Sequence, residues 1–216
     1  MGRDAVVRTG TIDVVNALAE LDPTLTRERL QQSMLEGETA RDGCTANDPP
    51  STPGIIAWAR TTRGLRDVLI PLGWTKNDDV NFSTVISPNK GIAIAVATGD
   101  EGTGQPQLVP KTKYAKGPAT LAAVNMNKLQ LELFGTSPAH TETGAIGGPQ
   151  TWMLIRRRQG DTLFAELSLP DGAGYDGRIE TWAVRIILEP LMLEPNPFPE
   201  DDESEDPIDI PIRRRS

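Results

Sequence analysis

The chain has 216 residues, a formal charge of −8, 20 glycines, 18 prolines and only 5% aromatic residues. That length fits one domain with room for a real core, and the glycines and prolines predict long loops between its elements. About half of the net charge lies in residues 195–216, which leaves a body too mildly acidic to coat nucleic acid non-specifically. Cys44 is the only cysteine and His140 the only histidine, which excludes an intrachain disulfide framework and a zinc cluster of the Cys/His kind. The opening MGRDAVVRTG lacks the apolar core of a signal peptide, and no apolar run approaches membrane-spanning length. The expected location is cytoplasmic, with no membrane contact and no cofactor.

After a loose arm of ten residues, TIDVVNALAELD takes helical spacing, with Ile12, Val15, Leu18 and Ala19 on one face and Thr11 as N-cap. Asp22-Pro23 breaks the chain. A second helix is expected from about Thr26 to Glu36, with Gly37 as its stop. Residues 38–53 form a loop crowded with Gly, Asn, Asp, Ser and Pro, where Cys44 has no local base to activate it. Ile55 to Leu72 is the best helix of this half. Ile55, Trp58, Ala59, Thr62, Leu65 and Leu69 line one side, and Pro71 with Gly73 ends it. Arg60, Arg63 and Arg66 recur every third residue as a basic strip. It suits nucleic-acid phosphates, an acidic partner or the chain's own acidic tail, though a solvated face is the commonest role of such a strip.

Phe82–Ser87 and Gly91–Thr98 read as strands joined by a short hairpin loop at Pro88–Lys90. In the second, Ile92, Ile94 and Val96 alternate with alanines, as in a strand covered on one face and closely approached on the other. It runs straight into a glycine-rich loop. Gly99, Gly102 and Gly104 free the backbone to cradle an anion, with Lys111, Lys113 and Lys116 downstream to neutralise phosphate. Asp100 and Glu101 supply carboxylates suited to a divalent metal. The loop matches neither a P-loop nor a dinucleotide fingerprint, and a plain surface loop competes with either chemistry.

Gly117-Pro118 opens a further helix, in which Ala122, Met126, Leu129 and Leu133 follow core spacing. Residues 135–150 form a mobile Gly-, Thr- and Pro-rich loop. Two strands follow, Thr151–Arg157 and Thr162–Leu169. After a turn-rich break at 170–177 comes a third run, 178–189, in which Trp182, Val184, Ile186 and Leu188 point one way. Arg156, Arg157 and Arg158 end the first of these strands as a second basic cluster, available with Arg60 and Arg63 to nucleic acid. The tail from Pro195 lacks the apolar content to offset ordering entropy and is expected to be disordered.

The expected fold is therefore α+β in a single domain over 1–194: an antiparallel sheet of about five strands over 81–190, with helices from 11–73 packed on it. Within the fourth helix, Gln130-Leu131-Glu132-Leu133-Phe134 resembles the pentapeptide by which bacterial replication and repair proteins bind the sliding clamp. That resemblance implies a protein partner, with the Gln130 amide in a polar pocket and Leu131, Leu133 and Phe134 against an apolar cleft. The tail stretch DDESEDPIDIPI is similar to the acidic tip of bacterial single-stranded-DNA-binding proteins. It departs from that pattern by running on into Arg213, Arg214 and Arg215. GIAIAVATGDEGTG and AELSLP…GRIETWAVRI look like segments of bacterial mobile-element proteins of no assigned activity. Three functions are compatible with the chain: a non-enzymatic adaptor or inhibitor acting on replication or phage–host conflict machinery, a phosphate- or metal-using enzyme centred on residues 99–104, and a nucleic-acid-binding domain.

Overall fold

Three helices fill most of the first seventy residues, and the spacing of two of them is set by small side chains more than by apolar ones. The computed structural model describes residues 5–134 and 148–194. The expectations for 135–147, including His140, and for the tail at 195–216 fall outside the described residues. Helix α1 is Thr11–Leu21, α2 is Arg27–Arg41 and α3 is Thr52–Leu69, the last extended by one 3-10 turn at Ile70–Leu72. Thr26 caps α2, its hydroxyl accepting from the Arg29 amide. Helix α2 does not stop at Gly37 but continues four residues to Arg41. Gly37 has a different use: a Cβ there would lie 2.7 Å from the Ala57 carbonyl oxygen, and one on Gly64 would lie 2.9 Å from Ser33 Cα. The two helices touch backbone to backbone through these glycines, closer than ordinary side chains allow.

That contact decides which face of α3 is buried. Ala57, Thr61 and Gly64 turn inward with Leu65 and Leu69, whereas Ile55 stays 57% exposed and Trp58 40% exposed. The expected stripe is thus only half right, and α1 shows the same shift: Val14, Ala17, Leu18 and Leu21 are buried while Ile12 is 78% exposed. On the fourth helix, α4 (Pro118–Phe134), the inward positions are Val124, Asn127, Gln130 and Leu131, and Ala122, Leu129 and Leu133 face outward.

The sheet has eight strands among the described residues: β1 (Val6–Arg8), β2 (Thr75–Asn77), β3 (Thr84–Ile86), β4 (Ile92–Thr98), β5 (Gln150–Gln159), β6 (Thr162–Ala173), β7 (Ile179–Ile187) and β8 (Leu191–Met192). Their order is β1-β7-β6-β5-β4-β3-β2, with β8 beside β6. The α+β class holds, but the sheet is mixed: β4 lies parallel to β5, and β1 parallel to β7. The long connection between β4 and β5 contains α4 and so permits the parallel return that a hairpin cannot make. The arm expected to be loose contributes β1, and β6 passes through Pro170 on register shifts that carry it to Ala173. Those shifts also break the expected phase of β7. Trp182 packs with Met153 and Ile155, whereas Ile186 and Leu188 join Trp152 and Leu154 in the larger core beneath α1–α3.

Helix α4 covers the opposite face through Val124 and Asn127. The Asn127 amide donates to the carbonyls of Thr151 and Pro170, at 2.8 and 2.9 Å, and its oxygen accepts from the Thr151 amide. On the helical side, Glu38 of α2 is 1% exposed and ion-pairs with Arg156 and Arg158 of β5, so two members of the expected basic cluster serve the fold.

If backbone contact holds α2 on α3, Gly37→Ala and Gly64→Ala should each cost about 1–3 kcal/mol by overpacking. Thermal unfolding should then fall by roughly 2–4 °C per kcal/mol, the scale for a chain of this size. Gly54→Ala, where an added methyl meets nothing within 4 Å, should leave the transition unchanged or raise it.

Candidate functional site

The glycine loop is folded back on the sheet, where Asp100 and the amides of Gly102 and Gly104 find partners within the chain. Asp100 Oδ1 accepts from the amides of Gly102 and Lys111, both at 3.0 Å. The Gly104 amide donates to Glu166 Oε2 at 3.1 Å. Glu166 also accepts from Ser168 and is paired with Arg185 at 2.5 Å, and both partners of that pair are buried. Arg185 then donates to the carbonyls of Leu108, Gly102 and Gln105. A carboxylate and a guanidinium of the fold itself thus occupy the places where an external anion and cation would bind. Gly102 and Gly104 are needed for close approach, since a Cβ on Gly102 would meet the Pro110 backbone at 2.9 Å. Glu101 is exposed.

The lysines do not converge on the loop. Lys111 pairs with Glu180 at 2.6 Å, and that carboxylate holds its ammonium above the usual range. Lys113 sits 5.7 Å from the Tyr114 ring centre. Lys116 is half-buried, and burial lowers its pKa. Among the described residues, no three His, Cys, Asp or Glu side chains are grouped to hold a metal ion.

The arginines are likewise dispersed. Arg156 and Arg158 belong to the network around Glu38 and Asp42, on the helical side of β5. Their neighbour Arg157 is only partly exposed. Arg66 reaches from α3 to the β2–β3 hairpin, donating to Asp78 at 2.6 Å and to the carbonyls of Asn77 and Thr84. The Arg66 guanidinium, followed by the Ser83 hydroxyl, holds the Asp78 carboxyl below the usual carboxylate range. Arg63 is shared between Asp67 and Glu36. Arg60 is exposed and makes no ion pair among the described residues.

The pentapeptide lies in the last turns of α4. Gln130 is buried, its amide donating to the Gly148 carbonyl at 2.9 Å, and Leu131 belongs to the larger core. Leu133 is 62% exposed, one turn beyond Leu129 on the outer face. Phe134 closes the helix, and its side chain lies outside the described part of the structure.

What sequence reasoning missed is a groove of about 400 Å³ between α3 and the β2–β3 hairpin. Trp58, Thr62 and Ile70 supply its apolar wall and Arg63, Lys76 and Ser83 its polar rim. Trp58 and Ile70 are 40% and 41% exposed, and Lys76 makes no ion pair among the described residues. The signal was present in the helix itself: a face bearing Ala57, Thr61 and Gly64 fits a close helix contact better than one bearing Trp58, which size alone would have shown.

The buried Glu166–Arg185 pair predicts a sharp contrast between substitutions. Glu166→Ala strands a buried guanidinium and should cost roughly 3–5 kcal/mol. Lys111→Ala removes a solvent-exposed pair and should leave the denaturation midpoint essentially where it is. Urea unfolding of the two variants beside the parent chain measures both.

No protein family matches this chain, and no curated protein or solved structure is significantly similar to it.

Proposed function

We propose that the chain is a non-enzymatic adaptor or inhibitor that acts by binding another protein. The observation that carries this reading is a contrast in how its surfaces are finished. Asp100 and the Gly102 and Gly104 amides of the glycine loop are bonded within the fold, whereas apolar side chains such as Leu129 and Leu133 on α4 stand in solvent. Apolar side chains exposed together along one helix face are material for a protein contact, and apolar anchors contribute most once desolvated.

The partner proposed is the sliding clamp of the replication machinery, on the strength of the pentapeptide. In the folded helix only the Leu133 end of that motif faces outward, because Gln130 and Leu131 are turned into the domain. An extended clamp-bound form therefore requires the last turn of α4 to open, releasing the Gln130–Gly148 hydrogen bond and the packing of Leu131. Helix ends are the cheapest places for such opening.

Titration of the full chain against purified sliding clamp tests this directly. Leu133→Ala should abolish clamp binding while the unfolding transition stays in place, since that side chain is mostly in solvent. Leu131→Ala should lower stability by about 2–5 kcal/mol whatever its effect on binding. A parent chain that does not bind the clamp at micromolar concentration ends this reading.

A further inference from the structure

The α3 groove lies at the edge of the sheet, and the position next to β2 is where a ninth strand would go. β2 closes the strand order on that side. Lys76 of β2 stands opposite Val85, which belongs to the core beneath the helices, so Lys76 also projects to the helical side and lines the groove. A strand added to β2 would bring every second side chain against Trp58 and Ile70.

One segment of this chain has the sequence such a site requires. Residues 207–212 read Pro-Ile-Asp-Ile-Pro-Ile, with isoleucine at 208, 210 and 212. In an edge strand, residues whose amides face the partner alternate with residues whose amides face solvent, and the side chains alternate faces with the same period. With the added strand antiparallel to β2 and in the register that points Ile208, Ile210 and Ile212 into the groove, Pro207 and Pro211 fall where no N–H is required. The shifted register would place prolines where donors are needed, so the segment is suited to one register only. The three isoleucines span about 13 Å at strand spacing.

Charge and reach agree with this placement. Six acids between Glu200 and Asp206 precede the segment, and Lys76 in the groove is a cation without an ion-pair partner among the described residues, while the groove's one carboxylate, Asp67, is already paired with Arg63. The last described strand, β8, is next to β6, so the vacant edge lies six strand spacings away, about 29 Å. From Glu194 to Pro207 the chain can extend about 43 Å.

We propose that Pro207–Ile212 docks in cis as an added strand on β2, over Trp58 and Ile70. This goes beyond the clamp reading and does not depend on it, because the groove and the pentapeptide are on different helices. The docked segment need not fold by itself: strand addition borrows its hydrogen bonds from an edge already in place.

Tryptophan quenching tests the proposal with little ambiguity. Trp74, Trp152 and Trp182 are each at most 2% exposed, so iodide quenching of the native chain reports on Trp58. In the full chain Trp58 should be protected. Protection should be lost in a chain ending at Pro199 and in the full-length Ile208→Ser, Ile210→Ser, Ile212→Ser variant, and a synthetic 200–216 peptide should restore it to the shortened chain. The amide of Lys76 should exchange with deuterium more slowly in the full chain than in the shortened one. Equal quenching and equal exchange in all three chains, with no effect of the peptide, overturns the proposal. Protection that grows with protein concentration also overturns it, since the occupant would then be the tail of a second copy.

Discussion

The close approach of α2 and α3 is the constraint on which the helical side depends. Two glycines and two small side chains let the backbones meet, and this rotates α3 so that Ala57, Thr61 and Gly64 lie against α2. Helix rotation is a single variable: once that face is buried, Trp58 and Ile70 must turn toward the hairpin. The groove exists because the helix contact is tight. Arg66 fixes its far wall by three bonds to the hairpin that carries β2 and β3.

The other side of the sheet is organised by charge. Glu166 and Arg185 lie on adjacent strands and are both nearly inaccessible, an arrangement costly in desolvation unless every remaining donor and acceptor is used. Here the loop from Gly99 to Thr112 supplies those partners, with three carbonyls for the guanidinium and an amide for the carboxylate. The glycine loop that looks from sequence like a ligand cradle is a cradle, but its occupants are side chains of the same chain. The Glu38–Arg156–Arg158 network plays the corresponding part between α2 and β5.

Local signals in the sequence were legible and long-range ones were not. The helices at 11–21, 27–41, 52–69 and 118–134, and the strands β4 to β7, follow from periodicity and turn residues. The parallel pairing of β4 with β5 left no trace, because it depends on a crossover of about fifty residues whose return path no local pattern encodes. Periodicity showed the core face of β4 and β6 but not, in full, the buried faces of the helices. Asn127 points inward because three hydrogen bonds hold it, and Gly37 continues a helix because a neighbour needs the space. Of the residues singled out from sequence, Asp100, Gly104 and Arg156 proved to be parts of internal networks, while the groove around Trp58 had been assigned to the core.

The parallel pairing of β1 with β7 has a consequence for how the molecule is made. Val6 to Arg8 must wait for Val184 to Ile186 before that edge of the sheet can close. At ribosomal speeds of roughly 5–20 residues per second, the amino-terminal strand spends about 10–35 s without its partner. During that interval the helical layer can assemble from neighbouring contacts, but the sheet beneath it stays open at one side. Slower elongation lengthens that interval in proportion, so the β1 edge is among the last parts of the sheet to close as the chain is made.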